Sequence, residues 1–186
     1  MSAWEGLTPP YTTITADPPW DDISKQRTGV TRVGREVRDR SIRAQYGTLD
    51  TAAICALPVA DLAAPDAHLY LWATNLGIRD AFAVMDAWGF TYKALLTWCK
   101  DGHLGLGRYF RNQTEQVLFG VRGSLPTADR SQVTYFHGPK RGHSVKPPIF
   151  GDLVERCSPG PYLELFARAP RLGWDSWGHG YELADR

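Results

Sequence analysis

Two consecutive prolines, Pro18 and Pro19, stand directly after the apolar run 11–16 and limit what that run can become. Neither carries a backbone N–H, and each holds its own φ at about −65°. A residue before proline is pushed out of the helical region, so Asp17 and Pro18 both run extended. The run is therefore a strand that ends in a stiff corner, Asp17-Pro18-Pro19-Trp20, rich in acceptors and poor in donors. The corner offers a carboxylate, a free Pro18 carbonyl and, two residues on, an indole plate. A primary amine on a flat ring needs that set: two acceptors for its hydrogens and a surface on which the ring can stack.

Further along, strand-like and helix-like patterns alternate, which predicts an α/β sheet with helices on both faces. Strands are expected at 11–16, 68–73, 91–98, 116–121 and 162–167, with a shorter one at 174–177. Ile78, Ala81, Phe82, Met85 and Trp88 follow helical spacing, and Gly89 stops that helix. Pro147 and Pro148 suit the first turn of another, with Ile149, Phe150, Leu153, Val154 and Cys157 facing inward. Residues 21–45 and 123–142 carry no period and read as long loops. Each follows a predicted strand, on the side where open α/β sheets bind ligands.

At 186 residues the chain fits a single domain, 1–186, and its 43% apolar content is enough for a sizeable core. No run reaches the length of a membrane span, and the N-terminus has no signal-peptide pattern. Cys55, Cys99 and Cys157 are odd in number and widely spaced, which argues against a disulfide framework or a zinc site and for a reducing cytoplasm. Net charge is only +1. Nucleic-acid binding would have to come from local patches, and between Lys25 and Arg43 seven cations meet two acids, a local charge of +5. Lys140, Arg141, His143 and Lys146 form a smaller basic group. Either group can also be read as solvated surface.

Behind the tetrapeptide, in order, stand Tyr46-Gly47-Thr48, Leu69-Tyr70-Leu71-Trp72-Ala73-Thr74-Asn75, Trp88-Gly89-Phe90, Trp98-Cys99-Lys100 and the segment 115–123. His143-Ser144-Val145-Lys146-Pro147, Glu164-Leu165-Phe166-Ala167-Arg168 and Gly173-Trp174-Asp175-Ser176-Trp177-Gly178 complete the series. Together they resemble the Asp-Pro-Pro-Trp family of S-adenosylmethionine-dependent N6-adenine methyltransferases. This is the family of the catalytic subunit of the eukaryotic mRNA N6-adenosine methyltransferase, with bacterial and phage members. The likeness covers nearly the whole chain.

The resemblance implies a Rossmann-like methyltransferase fold, with a mostly parallel twisted sheet and the catalytic motif ahead of the cofactor-binding segment. It implies S-adenosylmethionine as cofactor, S-adenosylhomocysteine as product, and no metal. Asp17, Pro18, Pro19 and Trp20 would be catalytic. Asp17 and Lys146 would meet the cofactor, the lysine neutralising its carboxylate, with Glu164, Arg168 and Arg171 nearby. Gly178, His179 and Gly180 match the family's ribose-binding turn, although relatives carry Asn where this chain has His179 and often a polar residue at Gly180. On the substrate side, Trp20 and Tyr46 would hold the base. Arg35, Arg38 and Arg40 would meet phosphates, and Arg108, Tyr109, Phe110 and Arg111 would form a strand-holding wall. Only sixteen residues precede Asp17, so the pocket for the cofactor adenine stands open or is completed by a second copy or a partner subunit. From alternation alone, Glu164 shares a face with Tyr162 and Phe166; it should be partly buried and have a partner, in an ion pair or in the site.

The implied chemistry is methyl transfer to an exocyclic amine whose lone pair is delocalised into its ring. Hydrogen bonds to Asp17 and to the Pro18 carbonyl would draw the nitrogen towards tetrahedral geometry, by positioning and electrostatics without a covalent enzyme intermediate. Compact relatives of this sort generally modify DNA, so adenine N6 in DNA is the expected target. RNA is the alternative, and a catalytically silent nucleic-acid-binding subunit the second.

Overall fold

The computed structural model describes residues 4, 6–21, 48–102, 109–140 and 145–178. The basic run with Arg35, Arg38 and Arg40, together with Tyr46, Arg108, His179 and Gly180, lies outside the described residues.

The corner after residue 16 ends β1, Tyr11–Ala16. β2 spans Ala63–Ala73, β3 Thr91–Asp101, β4 Thr114–Arg122 and β5 Tyr135–Pro139. β6 covers Tyr162–Leu165 and β7 Trp174–Trp177. Among the described residues three α-helices accompany them: α1, Thr51–Cys55, α2, Ile78–Ala87, and α3, Pro148–Cys157. The described strands form one sheet in the order β5-β3-β4-β2-β1-β6-β7. Only β4 runs antiparallel to its neighbours, so the sheet is mostly parallel as expected.

Strand alternation splits the core in two. Ile14, Leu69, Leu71, Leu118, Leu163 and Leu165 face α1 and α2, where they meet Ile54, Val84, Met85 and Trp88. Tyr70, Trp72, Trp98, Val117 and Phe119 face the other way and pack on Phe150, Leu153 and Val154 of α3. Both faces of the sheet are therefore covered, as a parallel sheet requires. No helix among the described residues is long and apolar enough to cross a membrane.

Several boundaries differ from expectation. β5 arises inside the stretch expected to be a loop; its outward residues are exposed, and only Phe136 and Gly138 are buried, too little to register as an apolar run. The five-residue α1 is set by its cap, where the Asp50 carboxylate accepts from the Ala53 N–H at 2.7 Å. β6 stops at Leu165 rather than 167 because Phe166 adopts φ 63°, a left-handed conformation uncommon for a bulky side chain. Ile149, expected to face inward, is 47% exposed at the start of α3.

Candidate active site

From β1 the chain passes to β2 on one side, whereas β6 leads to β7 on the other. The crevice beyond the carboxyl ends of β1 and β6 is thus the topological switch point, where open α/β sheets place their ligands. A cavity of about 460 Å³ opens there, on the α3 face. Thr15, Asp17, Trp72, Lys146, Phe150, Glu164, Arg171 and Trp174 are among the residues that line it.

Period-two alternation explains how a charged cluster reaches this spot. Thr15 on β1 and Asp17 just past its end, Tyr70 and Trp72 on β2, Val117 and Glu115 on β4, and Trp98 and Lys100 on β3 all share the α3 face. Towards the carboxyl end the apolar residues give way to charges. Lys146, just ahead of α3, places its Nζ 3.1 Å from Asp17 Oδ1 and also donates to Glu115 Oε1. Glu115 Oε2 in turn lies 2.8 Å from Lys100 Nζ. The result is an alternating chain, Asp17–Lys146–Glu115–Lys100, with every side chain less than one-fifth exposed. Each lysine also sits over an indole, Lys146 at 4.4 Å from the Trp72 ring centre and Lys100 at 4.9 Å from Trp98.

Burial and position shift these groups apart. Burial pushes the Asp17 carboxyl above its ordinary value, and neighbouring Glu115 adds to that, against the opposing pull of Lys146 and Arg168. Glu115 feels burial too, but its two lysines outweigh it and hold its carboxyl below the usual range. Lys146 is likewise desolvated, yet Asp17 and Glu115 keep its ammonium more firmly protonated than a free lysine. At Glu164, burial and the nearby Asp17 charge raise the carboxyl, with Arg171 opposing. Of the two carboxylates in the cavity wall, neither is in the environment of a solvated acid.

The corner itself is more tightly bonded than its prolines suggest. The Trp20 N–H donates to the Pro18 carbonyl at 2.8 Å, and the Leu49 N–H to the Pro19 carbonyl at 3.0 Å. The Pro18 oxygen is therefore not free: one of its two lone pairs is engaged, and one is left for a ligand. Trp20 is half-buried against the α1–α2 side of the core, with its indole N–H on the Trp72 carbonyl at 3.0 Å. Its ring does not line the cavity that Asp17 lines.

Other expected residues fall into two groups. Lys146 and Glu164 do line the cavity, although Lys146 is held by two carboxylates and Glu164 makes no hydrogen bond among the described residues. Among the described residues the partner expected for Glu164 is not found: Arg171, the cation that acts on it, turns its fork to α3 instead. Arg171 reaches Glu155 at 2.8 Å and Asp152 at 2.8 Å, and lies over Trp174, so its fork braces the wall. Gly178 has a packing role: a Cβ there would lie 2.7 Å from the Ala167 nitrogen, where the end of β7 crosses the bend at Phe166. Arg168, Tyr109 and Arg111 are exposed and outside the cavity lining.

Glu115 and Lys100 had no assigned role from sequence. Both begin or end strands that are otherwise apolar on the same face, and a charge there signals a buried partner. That signal becomes readable only once the strand order puts β3, β4, β2 and β1 side by side.

The cavity suits a zwitterionic donor of nucleoside size, with carboxylates for its cationic groups and aromatic walls for its rings. Glu164, without a side-chain hydrogen bond among the described residues, can accept from a hydroxyl or ammonium, and Lys146 can meet a carboxylate.

Comparison with known proteins agrees with this geometry. The MT-A70 family model matches residues 11–180. Type II methyltransferase M.MunI of Mycoplasma sp is 33% identical over 182 residues, which cover 90% of this chain and 76% of that protein. Human N(6)-adenine-specific methyltransferase METTL4 is 28% identical across 91% of the chain, and the N6-methyladenosine RNA methyltransferase MTA1 of Cryphonectria parasitica 29% across 91%. The chain spans only 37% and 51% of the length of those two proteins. With its corner, reversed strand and crevice in place and the family model spanning nearly all of it, the chain belongs to the MT-A70 family of methyltransferases.

Proposed function

We propose that this chain transfers a methyl group from S-adenosylmethionine to the N6 amino group of adenine in DNA. The observation that carries the reading is the Asp17 carboxylate, held by Lys146 in the wall of the crevice at the switch point. When bound, S-adenosylmethionine supplies an electrophilic methyl on a sulfonium. The N–CH3 bond forms as the S–CH3 bond breaks, the electron pair stays on sulfur and the nitrogen sheds one proton.

The chain's own part is positioning and charge. Asp17 accepts a hydrogen from the amine and, with its carboxyl raised by burial, is a better resting place for the departing proton than a solvated aspartate. The remaining lone pair of the Pro18 carbonyl takes the second hydrogen. Glu115, anchored by Lys100, holds Lys146 at Asp17 and keeps the buried charges balanced. Lys146 and Glu164 would hold the cofactor. Trp20, clamped by its indole N–H on the Trp72 carbonyl, braces the corner that presents Asp17 and the Pro18 carbonyl to the base, so Trp20→Ala should raise the KM for nucleic acid.

DNA is favoured because the relative of which the chain covers 76% is a type II methyltransferase. RNA is the second reading, suggested by the relative named as an RNA methyltransferase. Incubating the chain with labelled S-adenosylmethionine and unmethylated DNA or RNA, then digesting to nucleosides, separates them. Label in N6-methyldeoxyadenosine is the expected result. Label in RNA alone would transfer the reading to RNA, and label in N4-methylcytosine would refute the assigned base.

A further inference from the structure

The pairing of β3 with β4 extends one residue ahead of β4, where the Lys100 N–H donates to the Gln113 carbonyl at 2.8 Å. Gln113 therefore lies at the carboxyl edge of the sheet, the edge that holds Asp17. A few residues ahead of it in the chain, Tyr109 and Phe110 are 87% and 86% exposed, whereas the next most exposed aromatic among the described residues, Tyr135, reaches 53%. Other exposed aromatics have ring partners: Phe82 meets Tyr92, and Tyr135 meets His137. Among the described residues, Tyr109 and Phe110 have none. Two adjacent aromatics in full contact with water point to a partner that covers them.

Charge identifies the class of partner. Residues 102–113 contain Arg108 and Arg111 and no acid, so arginines flank the two rings directly. Aromatic rings between cations match the alternation of bases and phosphates in nucleic acid. Reach agrees: Glu115 of the charged chain is five positions on from Phe110, at most about 18 Å of extended backbone. An adenine N6 buried in a duplex stack cannot reach Asp17 unless its nucleotide is extruded. Extrusion leaves a gap one base thick, roughly 3.4 Å, which is also the thickness of an aromatic ring.

We propose that Tyr109 and Phe110 form a wedge that enters the DNA duplex and occupies the gap left by the adenine delivered to Asp17. The inference rests on the reading of the chain as a DNA adenine methyltransferase and adds how it opens a duplex. Arg111, beside the wedge, holds a phosphate that flanks the gap. On single-stranded DNA no gap has to be filled.

The double variant Y109A/F110A, checked for an unchanged melting temperature, tests this. Methyl transfer is followed on the same unmethylated bacteriophage DNA, native and heat-denatured, with F110L beside it to retain apolar bulk. The loss on native DNA should exceed the loss on denatured DNA by about tenfold or more, and F110L should recover most of it. Permanganate oxidation of thymines supplies an independent readout of base extrusion. The unaltered chain should make thymines opposite its target adenines reactive, and Y109A/F110A should not. Equal losses on both DNAs, no loss on native DNA, or undiminished thymine reactivity in the variant would each overturn the wedge. Failure of the unaltered chain to methylate either DNA would instead sink the underlying assignment to DNA.

Discussion

Two polar networks cross the α3 face of the same sheet, and they are built on opposite plans. At the carboxyl edge, Asp17, Lys146, Glu115 and Lys100 form a charged chain that opens into a cavity. Towards the other edge, Tyr70, Ser158 and His68 form a neutral one. His68 is completely buried; its Nε2 lies 2.9 Å from the Leu125 carbonyl, its Nδ1 2.7 Å from Ser158 Oγ, and that oxygen 2.7 Å from the Tyr70 hydroxyl. A carbonyl can only accept, so Nε2 carries the proton and Nδ1 accepts from Ser158. Every atom of the neutral network is satisfied within the protein. The charged network keeps one end, Asp17, facing the cavity, and beside it Glu164, whose side chain makes no hydrogen bond among the described residues. A closed neutral network joins β2, α3 and the loop after β4, whereas an open charged one is arranged to receive a ligand. The difference assigns stability to the first and chemistry to the second.

The sharpest way to break this contrast is to exchange the consequences. Asp17→Asn should lower methyl incorporation about a hundredfold to a thousandfold, the usual cost of losing one essential charge-stabilising group. It should not lower the melting temperature. Because the folded state raises the Asp17 pKa, it binds that proton more tightly than the unfolded chain, so ionised Asp17 costs stability above its ordinary pKa. A thermal melt at neutral pH showing the variant equal to or above the unaltered chain would fit; a large loss would place Asp17 in the stability class.

His68→Ala should do the opposite. It leaves a void and strips the Ser158 hydroxyl and the Leu125 carbonyl of their partner, at a cost of about 2–4 kcal/mol in denaturant titration. Activity per folded molecule should stay within about twofold, as determined from rates normalised to the folded fraction.

A smaller effect belongs to the outer end of the charged chain. Lys100→Gln removes one of the two cations that depress Glu115, so Glu115 takes up a proton at higher pH and loosens its hold on Lys146. The acid limb of the pH–rate profile should move upward, with activity falling roughly fivefold, the equivalent of about 1 kcal/mol for a partly exposed pair.

Smallest is the pH dependence of stability through His68. Burial lowers its folded pKa, so the unfolded chain protonates first as pH falls below about 6.5. Stability should therefore decline between about pH 7 and pH 5, and less steeply in His68→Gln, as followed by denaturant midpoints. Glu115 adds a separate loss further down, as pH falls below the ordinary glutamate range.

Much of this arrangement could be read from the chain before any coordinates, and the reason is local physics. Pro18 and Pro19 fix the end of β1 wherever they occur, and Gly89 ends α2 through its positive φ. The apolar alternation in β2 and β4 is strong enough to define buried strands. What escaped reading depended on neighbours brought from far along the chain. Lys146 is thirty-one residues from Glu115 and far from Asp17, so its double engagement depends on strand order. Arg171 lines the cavity but its fork is bonded to the acids of α3, for the same reason. β5 was hidden because an edge strand exposed on alternate residues lacks a continuous apolar run. Trp20 shows the limit of a motif: its position was legible, but which side of the corner its ring would take was decided by the Trp72 carbonyl.

The central claim is that a desolvated Asp17 carboxylate at the switch point receives the adenine amine. Single-turnover transfer of labelled methyl to adenine N6, measured across pH for the unaltered chain and for Asp17→Asn, tests it most directly. The unaltered chain should show a rate that rises with pH through a midpoint above the ordinary carboxylate range of about 4, and Asp17→Asn should lose that limb along with at least about 99% of the rate. An Asp17→Asn variant that keeps the limb and the rate would contradict the account.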